Sequence, residues 1–257
     1  MQRDFNTFFK GSSEDYLEIL KATYQAVKEA DPEAGVLHAG MAGMEPWMVS
    51  FWEPIFEKGS RYFDIANIHS IGASEELNVP KFRELLSRYG IDKPIWVTEA
   101  QHRTGMTMYG KQVSSEEHAR ILAKSYVISF ALGVDKIFYT TFRASPSDPD
   151  EFQASALVSA RGEKRPAYYT LQTLISKLDG FTSAVKLAEG RYWFTVGERV
   201  LYVLWGTGKI PAEITGEVLV TDIYGKERRA DASTINLTQS PIFIEGKFAP
   251  ELASPLG

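Results

Sequence analysis

Apolar positions recur in two registers along the first 180 residues. Over 13–31, Tyr16, Leu20, Tyr24 and Val27 fall on one face at helical spacing, and Asp31-Pro32 closes the run. Ser12 or Ser13 is placed to cap this helix, with Glu14 and Asp15 in its first turn. Further helices are predicted at 46–59, from Pro80 to Gly90, at 115–132 behind the Ser114–Glu117 capping signal, and at 166–178. Between them lie short apolar runs at 35–39, 62–69, 94–99 and 136–141, each read as a strand. Residues 100–113 and 143–155 read as loops. Strands that alternate with helices predict a parallel sheet buried on both faces. From residue 181 the pattern changes. Runs at 192–196, 200–205, 218–222 and 242–244, separated by glycine-containing turns, predict a small antiparallel β-sandwich over 181–246. Residues 247–257 read as a tail.

The expected fold is therefore α/β: a partial (β/α)8 TIM-type barrel over 1–180, of about four βα units, followed by the sandwich. A complete barrel takes eight strands and ~250 residues. Four units leave two open sheet edges, so a homodimer or a partner chain that completes the barrel is expected, or a longer protein of which this is the C-terminal part.

Composition narrows the chemistry. The 257 residues contain no cysteine, which excludes disulfides, thiolate metal sites and cysteine nucleophiles. With 28 basic and 33 acidic residues the net charge is −5 and no basic run stands out, so nucleic acid is not an expected partner. No stretch of ~18 apolar residues is present and no membrane association is expected. The start, Met1-Gln2-Arg3-Asp4-Phe5-Asn6, has no apolar core of a signal peptide, so a cytoplasmic location is expected. No strand leads into Gly-x-Gly-x-x-Gly, which disfavours a dinucleotide. No histidine pair has metal-ligand spacing; no metal or cofactor is expected.

Barrel chemistry sits at the C-terminal ends of the strands. Here those ends carry His38, His69, Glu99 and Tyr139. Glu99 puts a carboxylate at such an end. His102, three residues on, is read either as lining the same pocket or as solvated, and His118 as exposed on its helix. Trp47 and Trp52, five apart on one helix, cannot share a face; Trp193 and Trp205 read as sandwich core.

Several stretches in order resemble the C-terminal part of a clan A retaining glycoside hydrolase, closest to family 39, the xylosidase and iduronidase group. Gly11-Ser12-Ser13-Glu14-Asp15-Tyr16 resembles the helix after strand four, Phe63-Asp64 to Ile68-His69 strand six, and Ile95-Trp96-Val97-Thr98-Glu99 strand seven. Arg165-Pro166-Ala167-Tyr168-Tyr169 resembles the last barrel helix, and Val220-Thr221-Asp222-Ile223-Tyr224-Gly225 the sandwich. The resemblance implies a carbohydrate substrate, with Glu99 as the catalytic nucleophile. It implies substrate-binding roles for His69, for Tyr139 where the family often stacks a Trp on the sugar, and for Arg143; His102 joins them as a substrate-binding candidate only by its place three residues after Glu99. The family's acid/base lies in an Asn-Glu pair, and this sequence has none. The acid/base is thus expected from outside the chain; Asp148, Asp150 and Glu151 are in-chain candidates, read first as a solvated turn. The alternatives are a non-catalytic carbohydrate-binding or self-associating half-barrel, and an inactive fragment of a longer glycosidase.

Overall fold

A computed structural model describes residues 9–71, 75–106, 112–148 and 150–246. The predicted tail at 247–257 lies outside the described residues. Two compact units are present. The first takes the described residues up to Ile71, with Leu77–Ala100 and Val134–Phe138; the second takes the rest.

In the first unit, α1 (Ser13–Ala30) begins in a full capping box: Asp15 N donates to Ser12 Oγ and Ser12 N donates to Asp15 Oδ2. Helix α2 (Pro46–Gly59) follows, and it buries Trp52 while Trp47 is half exposed, as their spacing requires. A 3-10 turn, Ser60–Tyr62, then delays β1 to Ala66–Ile71, so the strand predicted from 62 starts four residues later. Lys93 holds that turn by donating to the carbonyls of Ser60 and Phe63. Helix α3 (Val79–Arg88) and β2 (Ile95–Gln101) follow, and β5 (Val134–Tyr139) completes a three-stranded parallel sheet in the order β1-β2-β5.

The run predicted as a strand at 35–39 lies beside β1 but makes only single parallel bridges, Leu37 to Ile65 and Met41 to Ile68. Side chains take the places of ladder partners there. Val36 N donates to Asp64 Oδ2 (2.9 Å), and the ring of His38 accepts from Asn67 N (3.0 Å). The sheet also departs from burial on both faces. Ile95 and Val97 are buried, whereas Trp96 and Thr98 are partly exposed and Phe138 is 47% exposed. Trp96 and Phe138 stand 5.8 Å apart with the Lys136 ammonium 4.5 Å from the Trp96 ring, so an aromatic surface remains open among the described residues.

In the second unit the loop expected at 100–113 holds a short hairpin, β3 (Gly105–Met106) with β4 (Gln112–Val113). Helix α4 (Ser115–Ala131), capped by Ser114 Oγ, packs on α6 (Pro166–Leu178), and a short α5 (Asp150–Ser155) lies in the predicted polar loop. Six antiparallel strands follow: β6 (Phe181–Ala188), β7 (Arg191–Val196), β8 (Arg199–Leu204), β9 (Glu217–Asp222), β10 (Glu227–Asp231) and β11 (Ile242–Glu245). Their order is β10-β9-β11-β8-β7-β6. Trp193, Tyr202, Val218, Val220 and Ile244 build the core, and Tyr192 stacks on Trp205 at 4.9 Å. The two strands missed by the apolar pattern are the edges. β10 reads Glu-Arg-Arg-Ala-Asp, and charge on an edge strand blocks further pairing while hiding the strand from a hydrophobicity reading.

Candidate active site

The first unit gathers its polar side chains at neighbouring strand ends. Glu99, near the C-terminal end of β2, places Oε2 3.5 Å from Nδ1 of His69 on β1; the Glu99 side chain is 42% exposed and that of His69 20%. Nε2 of His69 lies 3.0 Å from Thr98 Oγ1, which donates to Asn67 Oδ1 at 2.7 Å. Asn67 Nδ2 donates to the His38 carbonyl (3.2 Å), and His38 Nδ1 lies 2.6 Å from the Ala39 carbonyl oxygen. Ala39 N donates to the hydroxyl of Tyr16 (2.7 Å). A continuous series therefore runs from a buried ring to a solvent-reached carboxylate.

Burial differs along the series, and the electrostatics follow. The His38 ring is 1% exposed and surrounded by Trp52 and Phe63, each at 4.8 Å, and by Phe56 and Phe82. That apolar cage holds its pKa at about 4, with the ring neutral. Burial also lowers the pKa of His69, opposed by the Glu99 carboxylate. The slot for His69 is cut by Gly40: a Cβ there would fall on the imidazole itself. Gly40→Ala is expected to cost about 1–3 kcal/mol and to shift the His69 ring resonances. Urea denaturation and histidine NMR check this, and an unperturbed ring in a stable variant would show that the slot has slack.

His102 and Tyr139 are brought together in the second unit. His102 is 4% exposed with Nε2 2.9 Å from Ser125 Oγ, and burial pushes its pKa down to about 3. The Tyr139 hydroxyl donates to the Ser155 carbonyl (2.8 Å), with the His102 carbonyl at 3.2 Å and His118 Nε2 at 2.8 Å. The Tyr139 hydroxyl and His102 Nε2 thus take protein partners. His118, expected to be exposed, is fully buried, with a pKa of about 4; the face of α4 that carries it turns inward with Leu122, Ser125 and Tyr126. Arg143 is exposed and donates to the Ala160 carbonyl (3.4 Å). Asp148 accepts from Ser145 N in a local turn, and the side chains of Asp150 and Glu151 lie outside the described residues. Among the described residues no three His, Asp or Glu are grouped to hold a metal.

Asn67 and Gly40 carried no sequence-level assignment. One signal was available for Asn67: it stands two residues from His69 in an apolar strand, the spacing that puts both on one face.

No family model matches the chain, and no curated protein matches it in sequence. Solved structures do match in fold. A family 39 glycoside hydrolase from Bacteroides cellulosilyticus WH2 superimposes with a TM-score of 0.69 at 18% identity, over 90% of this chain and 55% of that one. A family 30 endoxylanase from Clostridium papyrosolvens C71 gives 0.59 at 12% identity, over 95% and 63%. AbfB, a family 51 α-L-arabinofuranosidase from Bifidobacterium longum, gives 0.58 at 10% identity, over 93% and 64%. The chain spans between about half and two thirds of the length of these structures. Its fold, like that of these solved structures, is α/β: a partial (β/α)8 barrel followed by an antiparallel β-domain.

Proposed function

We propose that this chain is the nucleophile-bearing part of a retaining O-glycoside hydrolase, with Glu99 as the nucleophile. The observation that carries the reading is the position of Glu99: a solvent-reached carboxylate near the C-terminal end of a parallel strand, in a clan A fold. Glu99 attacks the anomeric carbon of a carbohydrate as the glycosidic bond breaks. The leaving oxygen takes a proton from an acid, and water then hydrolyses the glycosyl ester and frees Glu99. Such an acid stands ~5–5.5 Å from the nucleophile. Among the described residues the hydrogen-bonded series around Glu99 holds no second carboxylate, and this reading takes the acid/base from outside the chain, from a second copy or a partner that adds strands to the open sheet. That same lack of a second carboxylate favours the second reading, a carbohydrate-binding protein without hydrolysis.

Release of nitrophenol from a panel of aryl glycosides, wild type beside Glu99→Gln, tests the assignment. Turnover that depends on Glu99 supports it. A folded chain that is retained on immobilised carbohydrate but releases no nitrophenol favours the binding protein.

A further inference from the structure

The donor order around His69 can be read without ambiguity. Asn67 Nδ2 donates to the His38 carbonyl, which turns Oδ1 toward Thr98. Oδ1 bears no hydrogen, so the proton in the 2.7 Å contact belongs to Thr98. A hydroxyl has one proton. Toward His69, 3.0 Å away, the Thr98 oxygen can therefore only accept, and Nε2 of His69 carries a hydrogen. This removes Thr98 as a nucleophile activated by His69, which the row Thr98–His69–Glu99 would otherwise offer. It leaves Nδ1 as the one ring atom whose proton comes and goes, and Nδ1 faces Glu99 Oε2 at 3.5 Å.

With the ring neutral and the carboxylate ionised, two lone pairs oppose each other. A proton placed between them is drawn by both. We infer that His69 and Glu99 share a single proton at Nδ1, and that His69 is the positioning residue that frees or engages the Glu99 carboxylate. The last clause rests on Glu99 being the reacting group; the proton assignment does not.

Among the described residues the ionisable groups acting here are Glu99, from β2, and His38, from the segment before β1, whose apolar cage keeps it neutral down to about pH 4. Burial keeps His69 neutral at neutral pH, where Glu99 is unengaged. On acidification Nδ1 gains its proton, the 3.5 Å contact becomes a charge-assisted hydrogen bond, and the carboxylate is tied to the imidazolium.

Two-bond proton–nitrogen correlation on the 15N-labelled chain tests this, since only four histidines contribute. His69 is assigned by its loss in His69→Gln. The wild-type ring is expected as the Nε2–H tautomer at neutral pH. In Glu99→Gln it is expected to titrate about one pH unit lower, because the nearby negative charge is gone. A wild-type Nδ1–H tautomer overturns the inference without reliance on any variant, and so does a titration that Glu99→Gln leaves unchanged. Where hydrolysis is measurable, the acid limb of its pH profile is expected to move in His69→Gln. A ring that behaves as stated in a chain that cleaves no glycoside leaves the shared proton standing and removes the glycosidase reading; Glu99-dependent cleavage with an Nδ1–H ring does the reverse.

Discussion

Glu99→Ala is expected to lower aryl glycoside hydrolysis by about a thousandfold or more, and azide is expected to restore turnover. The alanine removes the attacking oxygen and leaves a gap the size of a carboxylate. Azide, a small anion, enters that gap and attacks the anomeric carbon from the same side. The product is then a glycosyl azide of configuration opposite to the substrate, read from its anomeric proton coupling. The fold should be little affected. The Glu99 side chain is 42% exposed and its 3.5 Å contact with the His69 ring is long, so a stability change within about 0.5 kcal/mol is expected. A glycosyl azide of retained configuration would instead make Glu99 the acid/base. Turnover unchanged in Glu99→Ala would take the residue out of the chemistry.

How much of this was legible in the sequence depends on whether a residue acts through its own type or through its neighbours. The helices and the parallel sheet were legible because their apolar periods are strong. The two edge strands of the β-domain were not, because β10 is almost wholly charged. Glu99 and His69 were legible as strand-end polar residues. Their juxtaposition was not: it needs β1 beside β2, and it needs Gly40, whose role appears only when a Cβ is set against the His69 ring. His118 was misread for a related reason. Helical spacing puts the apolar Ala119, Leu122, Tyr126 and Phe130 on one face of α4, and a polar ring next to them in sequence reads as solvated. In the fold that ring donates Nε2–H to Tyr139, a partner 21 residues away that no local pattern announces.

Those buried rings predict a chain that is destabilised by acid well above the carboxylate range. His38, His102 and His118 have pKa values of about 4, 3 and 4 in the folded protein against 6.5 when solvated. Between pH 6.5 and 4 the unfolded chain binds protons on these rings that the folded chain refuses. Stability is therefore full above pH 6.5 and falls as the pH drops, by up to about 1.4 kcal/mol per pH unit for each ring, until the folded rings also protonate near pH 4 to 3. For His38 alone this amounts to about 3 kcal/mol. The refusal has a structural cause at each ring that can be traced. His38 Nε2 already accepts from Asn67 N inside an aromatic cage, and the buried Nδ1 of His118 has no hydrogen-bond partner for an added proton among the described residues. Asp64 adds to the loss in the same direction: against burial, the Val36 N–H and then Lys28 hold its carboxyl below the usual range, so it must protonate in strong acid. Urea unfolding at pH 7, 5.5 and 4.5 should show a midpoint that falls steadily. His118→Gln should shallow that slope for the second unit whatever it does to stability at pH 7, since one proton is removed from the balance. A midpoint that holds constant from pH 7 to 4.5 would mean that the rings are solvated in the folded chain. Acid would also bring the shared proton onto His69 and tie up Glu99, so fold and site alike favour work above about pH 6.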